Sequence, residues 1–138
     1  MEQSRKHFKK RNAILSCLRS TDVHPSAEWV YTRLKPEIPD ISLATVYRNL
    51  SFFKQQGMIA SLGTVNGVER FDGNTAPHVH FICTGCDSVL DLTGMEVPEA
   101  LNQSAENRCG GRVNACQLSF QGTCGECLKK INLLEETV

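Results

Sequence analysis

Residues 78–86, HVHFICTGC, carry four side chains able to bind a metal ion: His78, His80, Cys83 and Cys86. A second Cys-x2-Cys pair, Cys124 and Cys127, follows after 37 intervening residues. The x2 spacing lets two thiolates meet one ion across a tight turn, and two such turns complete a tetrahedral S4 shell suited to Zn²⁺. Cys83, Cys86, Cys124 and Cys127 are therefore expected to hold a structural zinc that ties the start of the second half of the chain to its end and helps a small core to fold.

Strand parity separates the histidines from that site. Val79, Phe81 and Ile82 favour a strand, whose successive side chains point to opposite faces. His78 and His80 then share one face, and Cys83 has the other parity. Two histidines at i and i+2 can chelate a second ion. Asp91, on the next strand, could reach the same face; Asp72 lies six residues before His78, and His24 opens a helix in the first half. Spacing alone leaves this second site open. His24 before Pro25 also suits a helix cap, and a carboxylate at a strand end is commonly solvated.

The rest of the chain must position these groups. Its 138 residues are 41% hydrophobic and 22% charged, an ordinary globular balance for one domain or two small ones. The net charge of zero hides an asymmetry. Residues 1–74 carry 11 Lys and Arg against 7 Asp and Glu, and residues 75–138 carry 4 against 8. The first half can approach a polyanion. No apolar run is long enough for a membrane span, and MEQSRKHFKKRN lacks the apolar core of a signal peptide, so a cytoplasmic location is expected. Seven cysteines, an odd number, with no export signal point to metal rather than disulfides.

The elements follow from periodicity. A helix over Arg5–Arg19 has Phe8, Ala13, Ile14, Leu15 and Leu18 on its apolar side, with Cys17 in the core. A second helix starts at His24-Pro25-Ser26, with Pro25 in its first turn, and stops at Pro36. Ser42 caps a third over LATVYRNLSFFKQQ, which Gly57 ends. Asn66-Gly67 then turns a hairpin. Helix, connector, helix and hairpin make a winged helix-turn-helix, in which Val46 and Leu50 face inward. Ser42, Thr45, Tyr47, Arg48 and Asn49 are the candidate DNA-reading residues. In the second half, HVHFIC and VLDL form a two-stranded unit around the tight turn CTGC. A helix over Pro98–Asn107, a strand over Arg112–Gln121 and a C-terminal helix over LKKINLLEE follow. The fold class is α+β: a winged-helix DNA-binding domain with its hinge over 1–74, then a small α/β metal domain over 75–138. Cys116 reads as a small apolar residue and Cys109 as an exposed thiol. With no positioned nucleophile and no Glu obviously placed as a general base, an enzyme is not expected.

Taken together, HPSAEWVY, SLATVYRNL, ERFD, HVHFICTGC with VLDL, and the final CGEC resemble the ferric-uptake-regulator (Fur) family of metal-dependent bacterial repressors over nearly the whole chain, and its peroxide-responsive branch in particular. The resemblance implies a homodimer, joined through the second domain, on a palindromic double-stranded DNA operator. It implies a regulatory Fe²⁺ or Mn²⁺ held by His24, Asp72, His78, His80 and Asp91. Asp91 stands where iron-uptake regulators typically carry Glu. Hydrogen peroxide would be sensed by Fe²⁺-catalysed oxidation of His24 and His78. The alternative is an iron, manganese or zinc uptake regulator of the same family. Ala115 and Cys116 stand where many members carry histidines, so the further metal site of some relatives is not implied here.

Overall fold

Helix α1 (Glu2–Arg19) turns Ile14 and Leu18 inward and leaves Phe8 exposed, so the apolar side expected of this helix does not reach its N-terminal turns. A computed structural model of the chain describes residues 2–136 and divides it into two compact units, one ending at Thr75 and the next beginning at Ala76. In the first unit, Ile14 and Leu18 meet Val30 and Leu34 of α2 (Ala27–Leu34) and Val46, Leu50 and Phe53 of α3 (Leu43–Gln55) in one apolar core. Each such side chain, fully removed from water, contributes about 1.5–3 kcal/mol. Cys17 is half-buried at the edge of this core.

Caps set the helix ends. Ser26 Oγ accepts the Trp29 N–H at 3.1 Å, so α2 begins at Ala27. Pro25 therefore precedes the cap instead of sitting in the first turn. Its carbonyl accepts the Phe71 N–H at 2.9 Å, which draws this stretch to the hairpin rather than into the helix. Ser42 Oγ caps α3 by accepting the Thr45 N–H at 3.1 Å. Gly57, at φ +72°, ends it, with Gly57 N–H on the Lys54 carbonyl and Met58 N–H on that of Phe53. Strands β1 (Ala60–Val65) and β2 (Val68–Asp72) then pair antiparallel, with Val65 opposite Val68 across the Asn66-Gly67 turn. Both turn residues have positive φ, as a two-residue hairpin turn of the primed type requires.

The second unit holds a three-stranded sheet in the order β4-β3-β5. Strand β3 (Val79–Cys83) pairs antiparallel with β4 (Val89–Asp91), which sets His80 opposite Asp91, and parallel with β5 (Leu118–Gly122). The expected strand from Arg112 is shorter than its sequence suggests. Leu118 pairs with Val79, where β3 starts, so residues 112–117 have no ladder on that strand to join. Helix α4 (Glu99–Cys109) has no buried residue and ends at Gly110, φ +74°. Helix α5 (Gly125–Glu136) starts inside CGEC, earlier than expected, and places Cys127 in its first turn. Leu128, Ile131 and Leu134 on this helix are exposed. The buried apolar set of this unit, among the described residues, is Val79, Val89, Cys83 and Cys124. So small a core needs a further source of folding energy. No helix of the described residues is long and apolar enough to cross a membrane.

Candidate metal centres and nucleic-acid interface

The four knuckle cysteines converge. Cys83 ends β3, Cys86 sits in the following turn, and Cys124 and Cys127 bracket the start of α5. Their sulfurs lie within 4.8 Å of one another, with Cys83 to Cys127 at 3.7 Å and Cys86 to Cys124 at 3.8 Å. A tetrahedron whose corners stand about 2.3 Å from a central Zn²⁺ has edges of about 3.8 Å, whereas a disulfide needs about 2.05 Å. The spacing fits a tetrahedral ion and not a disulfide pair.

Electrostatics agree with the geometry. The Cys83 sulfur accepts N–H groups from Cys124 and Gly85, each at 3.3 Å, and this bonding holds its pKa down to about 6. The Ser88 hydroxyl, 2.9 Å from its sulfur, pulls Cys86 down as well. Cys127 is pushed up to about 12 by the sulfurs of Cys124, Cys83 and Cys86 around it. Four sulfurs so placed cannot all lose their protons unaided, and a dication would stabilise all four as thiolates at once.

Histidines and aspartates form a separate set within each unit. In the first, His24 Nε2 faces Asp72 Oδ2 at 3.4 Å, and both side chains are buried. The other Asp72 oxygen accepts the Asn74 N–H at 2.9 Å, which sets the carboxylate plane. His24 adopts a left-handed backbone, φ +55°. Its carbonyl accepts Arg70 Nε, and Arg70 also reaches the Val23 carbonyl at 2.8 Å.

In the second unit, His78 Nε2 and His80 Nε2 both stand 3.2 Å from Asp91 Oδ1, their rings 4.2 Å apart. His78, just before β3, and His80, within it, share a face, as parity requires. His78 Nδ1 lies 2.5 Å from the Ala76 carbonyl. A carbonyl can only accept, so Nδ1 carries the hydrogen, and in the neutral ring the Nε2 lone pair then faces the carboxylate. Two acceptors facing at 3.2 Å need a proton or a cation between them. A bond from the remote ring nitrogen to a carbonyl is also how metal-ligating imidazoles are commonly oriented. These imidazoles and carboxylates are hard, mixed N/O donors of the kind that suits Fe²⁺ or Mn²⁺.

Helix α3 differs at one position from its sequence reading. Tyr47 and Arg48 are exposed; Tyr47 donates to Glu28 at 2.5 Å and Arg48 to Thr45 Oγ1 at 3.0 Å. Ser42 and Thr45 join hydroxyls at 2.9 Å over the cap. Asn49 is buried and is not free to meet bases: its Oδ1 accepts Arg11 Nε at 3.0 Å and its Nδ2 donates to the Thr45 carbonyl at 2.9 Å. Sequence reasoning missed Arg11 and Arg70. The signal for Arg11 was present, since Asn49 lies three residues after Val46 and four before Phe53, on the inward face of α3. Arg70 makes its bonds 46 and 47 residues away, and nothing local marks it.

A winged helix followed by a mixed sheet with a four-cysteine cluster defines a class, the winged-helix proteins with a metal-binding second domain. The model of the ferric uptake regulator family matches residues 2–121, and the chain belongs to that family. It is 36% identical over 123 residues to the peroxide operon regulator of Bacillus subtilis strain 168, covering 89% of this chain and 84% of the relative. It is 36% identical over 121 residues to the peroxide-responsive repressor PerR of Staphylococcus aureus, covering 88% and 81%. Among solved structures it is similar to the Campylobacter jejuni peroxide stress regulator, with TM-score 0.77, 28% identity and coverage of 91% and 94%. It is also similar to the Francisella tularensis ferric uptake regulator with iron, with TM-score 0.71, 29% identity and coverage of 86% and 90%.

Proposed function

We propose that this chain is a metal-dependent DNA-binding transcriptional repressor that senses hydrogen peroxide. It acts in the cytoplasm as a homodimer, with residues 1–74 binding a palindromic operator and residues 75–138 joining the subunits. Cys83, Cys86, Cys124 and Cys127 hold a structural Zn²⁺. His24, Asp72, His78, His80 and Asp91 hold the regulatory Fe²⁺ or Mn²⁺. The observation that carries this reading is the pair of imidazole nitrogens on Asp91 Oδ1, with the His78 ring oriented by the Ala76 carbonyl at its other nitrogen. The similarity to two regulators named for peroxide supports the signal.

When bound, Fe²⁺ would supply the electron that cleaves the peroxide O–O bond, releasing one oxygen as hydroxide and leaving the other to add to a ligand imidazole, whereas Mn²⁺ would resist that reaction. His24 or His78, once its ring carried the added oxygen, would be a poorer nitrogen donor, and the set would hold the ion less tightly. Because the ligands come from both domains, metal occupancy and DNA binding are linked free energies. Ser42 and Thr45 fix the start of the reading helix, and Tyr47 and Arg48 meet the duplex. The similarity to the Francisella iron-bound regulator supports a second reading, metal-uptake control by the same fold.

Loading the protein separately with Fe²⁺ and Mn²⁺, adding peroxide, and following duplex binding with peptide masses separates the two. The peroxide reading expects the Fe²⁺ form to lose binding and gain oxygen on the His24 or His78 peptide, while the Mn²⁺ form keeps both. Equal persistence of the two forms without added oxygen leaves the metal-uptake reading.

A further inference from the structure

Between α1 and α3 lies a cleft of about 230 Å³ lined by His7, Lys10, Arg11, Thr45, Arg48 and Asn49. Three of the six are permanent cations, and among the described residues that line it none carries a carboxylate. The nearby acid is Asp40, which pairs with Lys10 at 3.1 Å and whose carboxyl the Lys10 ammonium holds below its usual range. Lys10 is thereby partly neutralised.

The two guanidinium groups are prearranged. Arg11 is gripped by Asn49 Oδ1 at 3.0 Å and lies over the Phe52 ring, 4.2 Å from its centroid. Arg48 is held by Thr45 Oγ1 at 3.0 Å. Asn49 ties the pair together, since its Nδ2 bonds the Thr45 carbonyl. Stacking on an aromatic face and one side-chain bond fix the plane of Arg11 while leaving N–H groups that neither contact uses. A rigid fork of donors in a cationic cleft recognises a tetrahedral oxyanion. The cleft also borders the face of α3 that carries Tyr47 and Arg48.

We propose that this cleft seats a backbone phosphate of the DNA duplex, gripped by Arg11 of α1 beside Arg48 of α3. The proposal rests on the DNA-binding reading above and adds to it a contact from outside the reading helix. A phosphate contact positions the protein and carries no sequence information, so its removal weakens binding to all duplexes alike.

The test uses full-length Mn²⁺-loaded protein and a palindromic duplex selected from a random-sequence pool, with affinity measured by anisotropy over a range of salt. Each neutralised phosphate contributes about 0.9 to the slope of log K against log[salt], so Arg11→Gln, which removes one contact per subunit, is expected to flatten the slope of a dimer by about 1.8. Arg11→Lys should keep the parent slope. Equal slopes for parent and Arg11→Gln, with both folded by thermal melting, would overturn the phosphate contact and leave the DNA-binding reading standing. A parent that selects no duplex overturns both. Inorganic phosphate added alone should not raise the melting temperature. A rise seen in the parent and lost in Arg11→Gln, with unchanged salt slope, would assign the cleft to a free anion instead.

Discussion

The guanidinium of Arg70 donates to the main-chain carbonyl of His24, the residue 46 positions before it, and holds His24 in a left-handed backbone at φ +55°. That conformation costs a non-glycine residue about 1–2 kcal/mol. The Arg70 bond to the Val23 carbonyl and the Phe71 N–H on Pro25 complete the clamp. The side chain of His24 thus meets Asp72 because its backbone is fastened to the strand that Asp72 ends. Arg70→Met removes two bonds from a charged donor. It is expected to lower unfolding stability by about 1–3 kcal/mol. Mn²⁺ affinity should fall roughly 10–100-fold, with zinc content unchanged. Denaturant unfolding and metal titration check both; Mn²⁺ affinity equal to that of the parent would show that the clamp does not position a ligand.

Asn49 distinguishes an orienting role from base reading. Its carboxamide joins Arg11 to the Thr45 carbonyl inside the helical unit. Asn49→Ala removes two side-chain hydrogen bonds, one of them from a charged donor, and should cost about 1–3 kcal/mol of stability. Binding should weaken by a similar factor on duplexes of differing base sequence. A loss confined to duplexes with one particular base pair would return Asn49 to the reading surface.

These two residues show where sequence reasoning reaches its limit. The ends of α3 are legible because a Ser cap and a glycine terminator act within a few residues, and the Asn66-Gly67 turn is legible for the same reason. Both cysteine knuckles can be read because two-residue spacing is itself the geometry of chelation. Pro25 falls outside its helix, and β5 begins at Leu118, because a partner strand distant in sequence decides each. Asn49 looks like a surface residue by polarity. Its spacing from Val46 and Phe53 is the better guide, and it points inward.

The cysteine cluster predicts a pH dependence for the reduced, metal-free protein. Cys83 is held at about 6 in the folded chain against an ordinary 9.0, so the unfolded chain binds more protons across that window. Stability therefore rises with pH through it and is lost as pH falls through about 6. Cys127, pushed up to about 12, has the opposite sign and withdraws stability as pH rises from the ordinary value toward 12. Urea midpoints measured across this range should climb, then decline. Cys83→Ser should flatten the climb, and an unchanged climb would mean that another group carries it. Saturating Zn²⁺ should raise the midpoint in the parent and much less in the variant.

Gly73, directly after Asp72, passes so close to α1 that a Cβ there would stand 2.9 Å from the Leu18 carbonyl oxygen and 3.1 Å from the Arg19 Cα. The obstructing atoms are backbone, so they cannot swing aside as a side-chain tip would. Gly73→Ala should push the end of β2 away from α1 at a cost of about 1–3 kcal/mol. The displacement starts beside Asp72, whose carboxylate plane depends on the Asn74 N–H two residues on. Mn²⁺ binding should therefore weaken together with stability, whereas Gly63→Ala, in open space on β1, should cost stability through its φ of +78° and leave Mn²⁺ binding near the parent value. Thermal melting and Mn²⁺ titration of the two variants side by side test this. Parallel losses of metal affinity would mean that general destabilisation, not the position of Asp72, sets the Mn²⁺ affinity.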